Sequence, residues 1–190
     1  MKKSLLLGIV CSLLAGCATN VPVELPSNAV ITKDAQGNVF FDRVVFNYPT
    51  AKFDKAQTCA ATTIENNSVN VNVEKTTLTR YGSITTAQAN GYQGGNVLQS
   101  VSSDGVVAQG KTTSPEGMLI RIYAYTALIS PNENGVKVTL SNLKQDIYTA
   151  MNTSTTQPQL KPIGAWSGAN PLGAYNALKV IADKLDICMR

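Results

Sequence analysis

Two kinds of side chain could carry chemistry in this 190-residue chain: its four cysteines and its twelve carboxylates. Histidine is absent altogether. That absence removes Ser-His-Asp and Cys-His nucleophile pairs, which need an imidazole base, and zinc sites built on imidazole ligands. A carboxylate pair of the kind that hydrolyses glycosides stays open among Asp42, Asp54, Glu65, Glu74, Asp104, Glu116, Glu133, Asp146, Asp183 and Asp186. Most of these fall on turns or on the polar side of expected helices, where a carboxylate is ordinarily a solvated surface charge. Gly91, Gly94 and Gly95 lack the flanking strand, lysine and helix of a phosphate-binding loop. No lysine sits in an apolar context that suits a Ser/Lys pair. The expectation is a protein that is not an enzyme, with no cofactor and no metal.

The cysteines divide by position. Cys17 ends the stretch Leu14-Ala15-Gly16-Cys17, behind Lys2, Lys3 and the apolar run Leu5 to Leu14. A run of about ten residues suits the apolar region of a secretory signal and falls well short of a membrane-spanning helix. Charge, apolar run, small residues and cysteine in this order resemble the lipobox of bacterial lipoproteins. The resemblance implies cleavage before Cys17, a diacylglycerol on its thiol and acylation of the new amine. It also implies the outer membrane, because Ala18 follows where an aspartate would favour retention in the inner one. The alternative is an ordinary secreted protein whose cleavage site abuts a cysteine. Two or three acyl chains on Cys17 would make attachment permanent, since each buried methylene contributes about 0.8 kcal/mol.

Cys11 would leave with the signal, so Cys59 and Cys188 remain in an oxidising compartment. The expectation is a disulfide between them; the alternative is two free buried thiols. Such a bridge would close a loop of roughly 130 residues, worth about 4 to 5 kcal/mol in the chain-entropy account. Cleavage also changes the charge. Of 16 basic residues Lys2 and Lys3 would be lost, and 14 remain against 12 acidic ones, a net +2. With lysines and arginines spread singly, nothing points to nucleic acid.

These residues need elements to hold them. Residues 1–16 read as the signal peptide, 17–38 as a lipidated flexible tether with Pro22 and Pro26, and 39–190 as a single domain. A tether of that length would reach an r.m.s. distance of about 25 Å. Val39 to Phe46 reads as a strand, after which Thr50 could cap a helix. Phe53, Ala56, Cys59, Ala60, Thr63 and Ile64 recur at helical spacing. Val69, Val71 and Val73 begin an alternating strand, and Gln88 to Asn96 reads as a polar loop. Short strands follow at Val97 to Val101 and Val106 to Lys111, then a long one from Met118 to Ile129. Asn134-Gly135 marks a hairpin into Val136, Val138 and Leu140. Thr149 to Gln159 reads as a connector. Asn170-Pro171 starts a last helix whose one face holds Tyr175, Leu178, Ile181, Ala182, Leu185 and Cys188.

This order predicts an α+β fold: an antiparallel sheet of about five to six strands with two helices packed on one face. On element order and the Asn134-Gly135 hairpin, residues 39–190 resemble a family of small bacterial lipoproteins and secreted proteins with a TBP-like fold and no settled activity. In the long strand Ile120, Ile122, Ala124 and Leu128 point one way, and Arg121, Tyr123 and Tyr125 the other. If the helices cover the aliphatic face, Arg121, Tyr123 and Tyr125 are left as a stripe suited to a protein or glycan partner. The alternative has the tyrosines covering the open face beneath the Gln88 to Asn96 loop. Trp166 is either an exposed anchor or a plug beneath the last helix. The expected function is a non-catalytic binding or assembly role in the bacterial cell envelope. A small envelope hydrolase using two carboxylates is the alternative.

Overall fold

The computed structural model describes residues 22–66, 69–79, 82–92, 95–117, 119–149 and 159–190. Cys17 and the signal segment lie outside the described residues, as does most of the Thr149 to Gln159 connector. Among the described residues nine strands and two α-helices follow in the order β1 (Ala29–Lys33), β2 (Val39–Tyr48), α1 (Ala56–Thr63), β3 (Val69–Thr79), β4 (Gly82–Tyr92), β5 (Leu98–Ser102), β6 (Gly105–Glu116), β7 (Leu119–Asn132), β8 (Gly135–Thr149), β9 (Lys161–Pro162) and α2 (Pro171–Met189). The main sheet is antiparallel, in the order β1-β2-β8-β7-β6-β5, with β9 paired to β8. The fold is α+β, as the element order predicts.

The hairpins carry the long strands. Gly135 pairs with Asn132 around the turn and takes φ +139°, a conformation that only glycine adopts without strain. Each of β2 and β8 also contains one extra residue. Pairing with β1 skips Asp42, so Val39 and Phe41 before it and Val44 and Phe46 after it all lie buried. Between Ala124 and Thr126 of β7, β8 spends two residues against one, and Asn142 sits there at φ +52°. Leu140 and Leu143 are consequently both buried. A bulge re-aims the side chains that follow it, and both bulges keep the apolar set on one face.

That face is covered by the helices. Ala56, Cys59 and Ala60 from α1, Ile64 just after it, and Ala174, Leu178, Ala182, Leu185 and Met189 from α2 form one core with Phe41, Val44, Val138 and Leu140 of the sheet. Leu178 and Leu185 are fully buried, each contributing about 1.5 to 3 kcal/mol relative to exposure. Asn170 accepts a hydrogen bond from Gly173 N at 3.0 Å and precedes Pro171, so the start of α2 is capped as expected. At the first helix Thr50 caps nothing. A single 3-10 turn (Phe53–Lys55) leads into α1 without a side-chain cap.

Three further expectations are corrected. Ala29–Lys33, read as part of a flexible tether, is the edge strand β1 of the main sheet. Asn28 Nδ2 donates to Val45 O at 3.0 Å and Tyr175 Oη donates to Asn28 Oδ1 at 3.1 Å, so the chain before β1 is tied to β2 and α2. Composition misled because the prolines and small polar residues of this segment mark turns, while the pairing comes from its backbone. Gln88 to Tyr92, read as a loop, lies in β4. Finally, β3 and β4 form a separate two-stranded sheet rather than extending the main one.

Candidate functional site

Cys59 and Cys188 form a disulfide with Cα atoms 5.7 Å apart, across 129 positions of sequence. The two helices therefore pack side by side on one face, as the shared cysteine stripes require. Cys59 is buried and Cys188 half-buried, and the bridge ties the last turn of α2 to the middle of α1. Lys52 N donates to Met189 O at 2.8 Å beside it, which fastens the chain end a second time.

The expected recognition stripe is not on the surface. Arg121, Tyr123 and Tyr125 are 6%, 0% and 3% exposed and face the helices. On the aliphatic side of β7, Ile120 and Leu128 are 41% and 39% exposed, while Ile122 between them is fully buried. The reason is steric. Gly110 of β6 stands opposite Tyr125, and a Cβ at 110 would meet Tyr125 Oη at 2.5 Å and Ile64 Cγ2 at 2.6 Å. The ring fills the space that the missing side chain leaves beneath α1. Burial, and the Glu65 carboxylate nearby, push the Tyr125 hydroxyl well above the ordinary phenol range. Burial raises Tyr123 as well. A glycine between Val106-Val107 and Thr112-Thr113 of one strand was the available signal, since a glycine inside a strand often marks a close approach of another group.

Arg121 is held by Glu116, whose Oε2 accepts from Arg121 Nε at 2.6 Å. Glu116 Oε1 accepts from Asn170 Nδ2 at 3.1 Å, so a single carboxylate links the β6–β7 turn to the cap of α2. The hydrogen bond from Arg121 keeps Glu116 below the usual carboxylate range, assisted by the Arg121 charge and by Asn170. Charge near a helix start is favourable when negative, and Glu116 supplies it.

Other carboxylates are also paired. Asp42 meets Arg43 at 2.9 Å and Asp183 meets Lys179 at 2.6 Å, while Asp186 accepts from Arg190. Tyr48 Oη donates to Asp183 Oδ1 at 3.1 Å, and burial together with Asp183 raises its ionisation well above the ordinary value. Asp186 Oδ1 is buried without a hydrogen-bond partner among the described residues. Among the described residues no group of three or more cysteine, aspartate and glutamate side chains could hold a metal ion.

Two surface features remain. On the open face a groove of about 370 Å³ is lined by Gln109, Lys111, Thr126, Asn142, Lys144 and Leu160, among others. Amides, a hydroxyl and ammonium groups around a shallow apolar floor suit a polar ligand such as a glycan or a peptide backbone. Periodicity missed it because its residues come from β6, β7, β8 and the position just before β9, and only the sheet order brings them together.

Trp166 is half-buried rather than a plug in the core. Its ring lies edge-on to Phe40 with centroids 6.1 Å apart, and its backbone bridges to Pro22. Gly164 leaves room for it, since a Cβ there would come within 2.3 Å of the indole. Among the described residues no helix is long and apolar enough to cross a membrane. Comparison with family models, with curated proteins and with solved structures finds no match to this chain.

Proposed function

We propose that this chain is an exported lipoprotein of the bacterial cell envelope, held at the outer membrane by lipid on Cys17. Its domain binds, or helps to assemble, another envelope component, a protein or a glycan, without catalysing a reaction. The observation that carries the export part of this reading is the Cys59–Cys188 disulfide. A bridge buried at the helix pair belongs to a compartment where thiols are oxidised. The lipobox-like stretch supplies the anchor, and the groove around Gln109 and Lys144 supplies a surface for the partner. That surface replaces the Arg121, Tyr123 and Tyr125 stripe. A hydrolase would need one carboxyl kept protonated, whereas Asp34 and Glu116 are displaced the other way, toward the ionised form.

Metabolic labelling with palmitate, followed by crosslinking in the envelope, tests both halves. Label should appear on the wild-type chain and vanish from Cys17→Ser; label retained on the variant removes the lipoprotein reading. A crosslinked partner should be captured by the wild type and lost from Gln109→Ala/Lys144→Ala. Capture unchanged by that pair removes the groove, and peptidoglycan turnover without any partner restores the hydrolase.

A further inference from the structure

The corrected start of the domain changes what the anchor can reach. Val23 N donates to Ala165 O at 2.7 Å, Pro22 bridges to Trp166, and the residues after them are tied to β2 and α2. Only Ala18, Thr19, Asn20 and Val21 therefore separate Cys17 from the folded domain. Even fully extended, five peptide steps span at most about 18 Å. The 19 residues of α2 alone run about 28 Å from the Trp166 end, where α2 starts, to the end that holds Cys188. On so short a leash the orientation of the domain is restricted.

We propose that the end carrying Pro22, Phe40 and Trp166 rests on the bilayer that holds the lipid of Cys17, while the disulfide end points away. This rests on the lipid-anchor reading above. The occupant is a phospholipid surface, and the leash keeps it at high effective concentration. Trp166 is suited to that contact: it is half-buried rather than enclosed, its ring lies edge-on to Phe40, and that ring combines an apolar body with an N–H. Tryptophan prefers the headgroup level of a bilayer for this reason. Ser167 and Gly168, exposed beside it, put no bulk in the way.

The chain contains one tryptophan, so its fluorescence reports this end alone. The acylated mature protein, purified from membranes, is returned to phosphatidylcholine vesicles with and without a spin label at headgroup level. Emission of Trp166 should fall about twofold or more with labelled lipid, as for an indole at the interface. In Trp166→Phe/Ile187→Trp the probe moves to an exposed position on the last turns of α2, and labelled lipid should leave its emission unchanged. Protein that floats with the vesicles yet shows unquenched Trp166, or equal quenching at both positions, overturns the docking and leaves the anchor intact. Protein whose Cys17 peptide carries no acyl mass and does not float overturns the anchor, and the docking with it.

Discussion

Gly110 stands directly opposite Tyr125 across the β6–β7 pairing, and the tyrosine ring occupies the place that a side chain at 110 would take. This one relationship turns the aromatic side of β7 toward the helices. Gly110→Ala should push the ring and Ile64 apart and cost about 1 to 3 kcal/mol, as overpacking does. A urea midpoint measured against wild type checks it; an unchanged midpoint would mean the helix and ring give way freely.

Tyr125 carries a second expectation. Its hydroxyl is buried without a hydrogen-bond partner among the described residues. Removing a buried polar group that has no partner is neutral or favourable, so Tyr125→Phe should hold or raise stability by up to about 1 kcal/mol. Tyr125→Ser should instead lose several kcal/mol, on the order of a large-to-small core change. The same two denaturation curves separate a core tyrosine from a surface one, which would tolerate both changes alike.

The Cys59–Cys188 bridge closes a long loop and pins the end of α2 to α1. Cys59→Ala/Cys188→Ala should lose about 2 to 5 kcal/mol, with a clear fall in Tm. Mass spectrometry of unreduced protein should recover the two cysteine peptides joined. Calorimetry with and without reductant should show the fall for wild type and no further effect in the double variant.

Glu116 makes stability depend on pH. Its folded-state proton affinity lies below the reference of 4.5, so the carboxylate contributes fully above that value. The contribution is then lost as pH falls through the lower, folded-state value. Glu116→Gln should flatten this part of the acid limb. It should also weaken the protein at neutral pH, because Arg121 is 6% exposed and would keep its charge without its carboxylate. Thermal melts of both proteins across the acid range test the pair of effects.

The segment before β1 can be examined in the same way. Asn28→Ala removes the acceptor of Tyr175 Oη and the donor to Val45 O. The loss should be about 1 to 2 kcal/mol, as for one or two part-buried hydrogen bonds. A truly flexible tether would show none.

Local pattern was enough for much of this molecule. Alternation in Val136, Val138 and Leu140, the stripe from Tyr175 to Cys188, and the Asn170-Pro171 start are near-neighbour properties, and a short window of chain contains all the physics that produces them. The disulfide was legible for the same reason. Two helices that must each bury a cysteine stripe, with no other cysteine left, have one simple way to do so. The face of β7 was of a different kind. Both sides carry large apolar groups, and the choice between them depends on Gly110 of the neighbouring strand and Ile64 at the end of the helix above. The bulges at Asp42 and Asn142 likewise reset which residues point inward only once β2 and β8 have partners. Val23 and Ala29–Lys33 belong to the fold through backbone hydrogen bonds, Val23 to Ala165 and β1 to the next strand β2, which side-chain pattern does not encode. The groove at Gln109 and Lys144 exists because sheet order joins residues far apart in sequence. Short-range chemistry names the elements and the covalent links, and packing between them assigns the inner and outer faces.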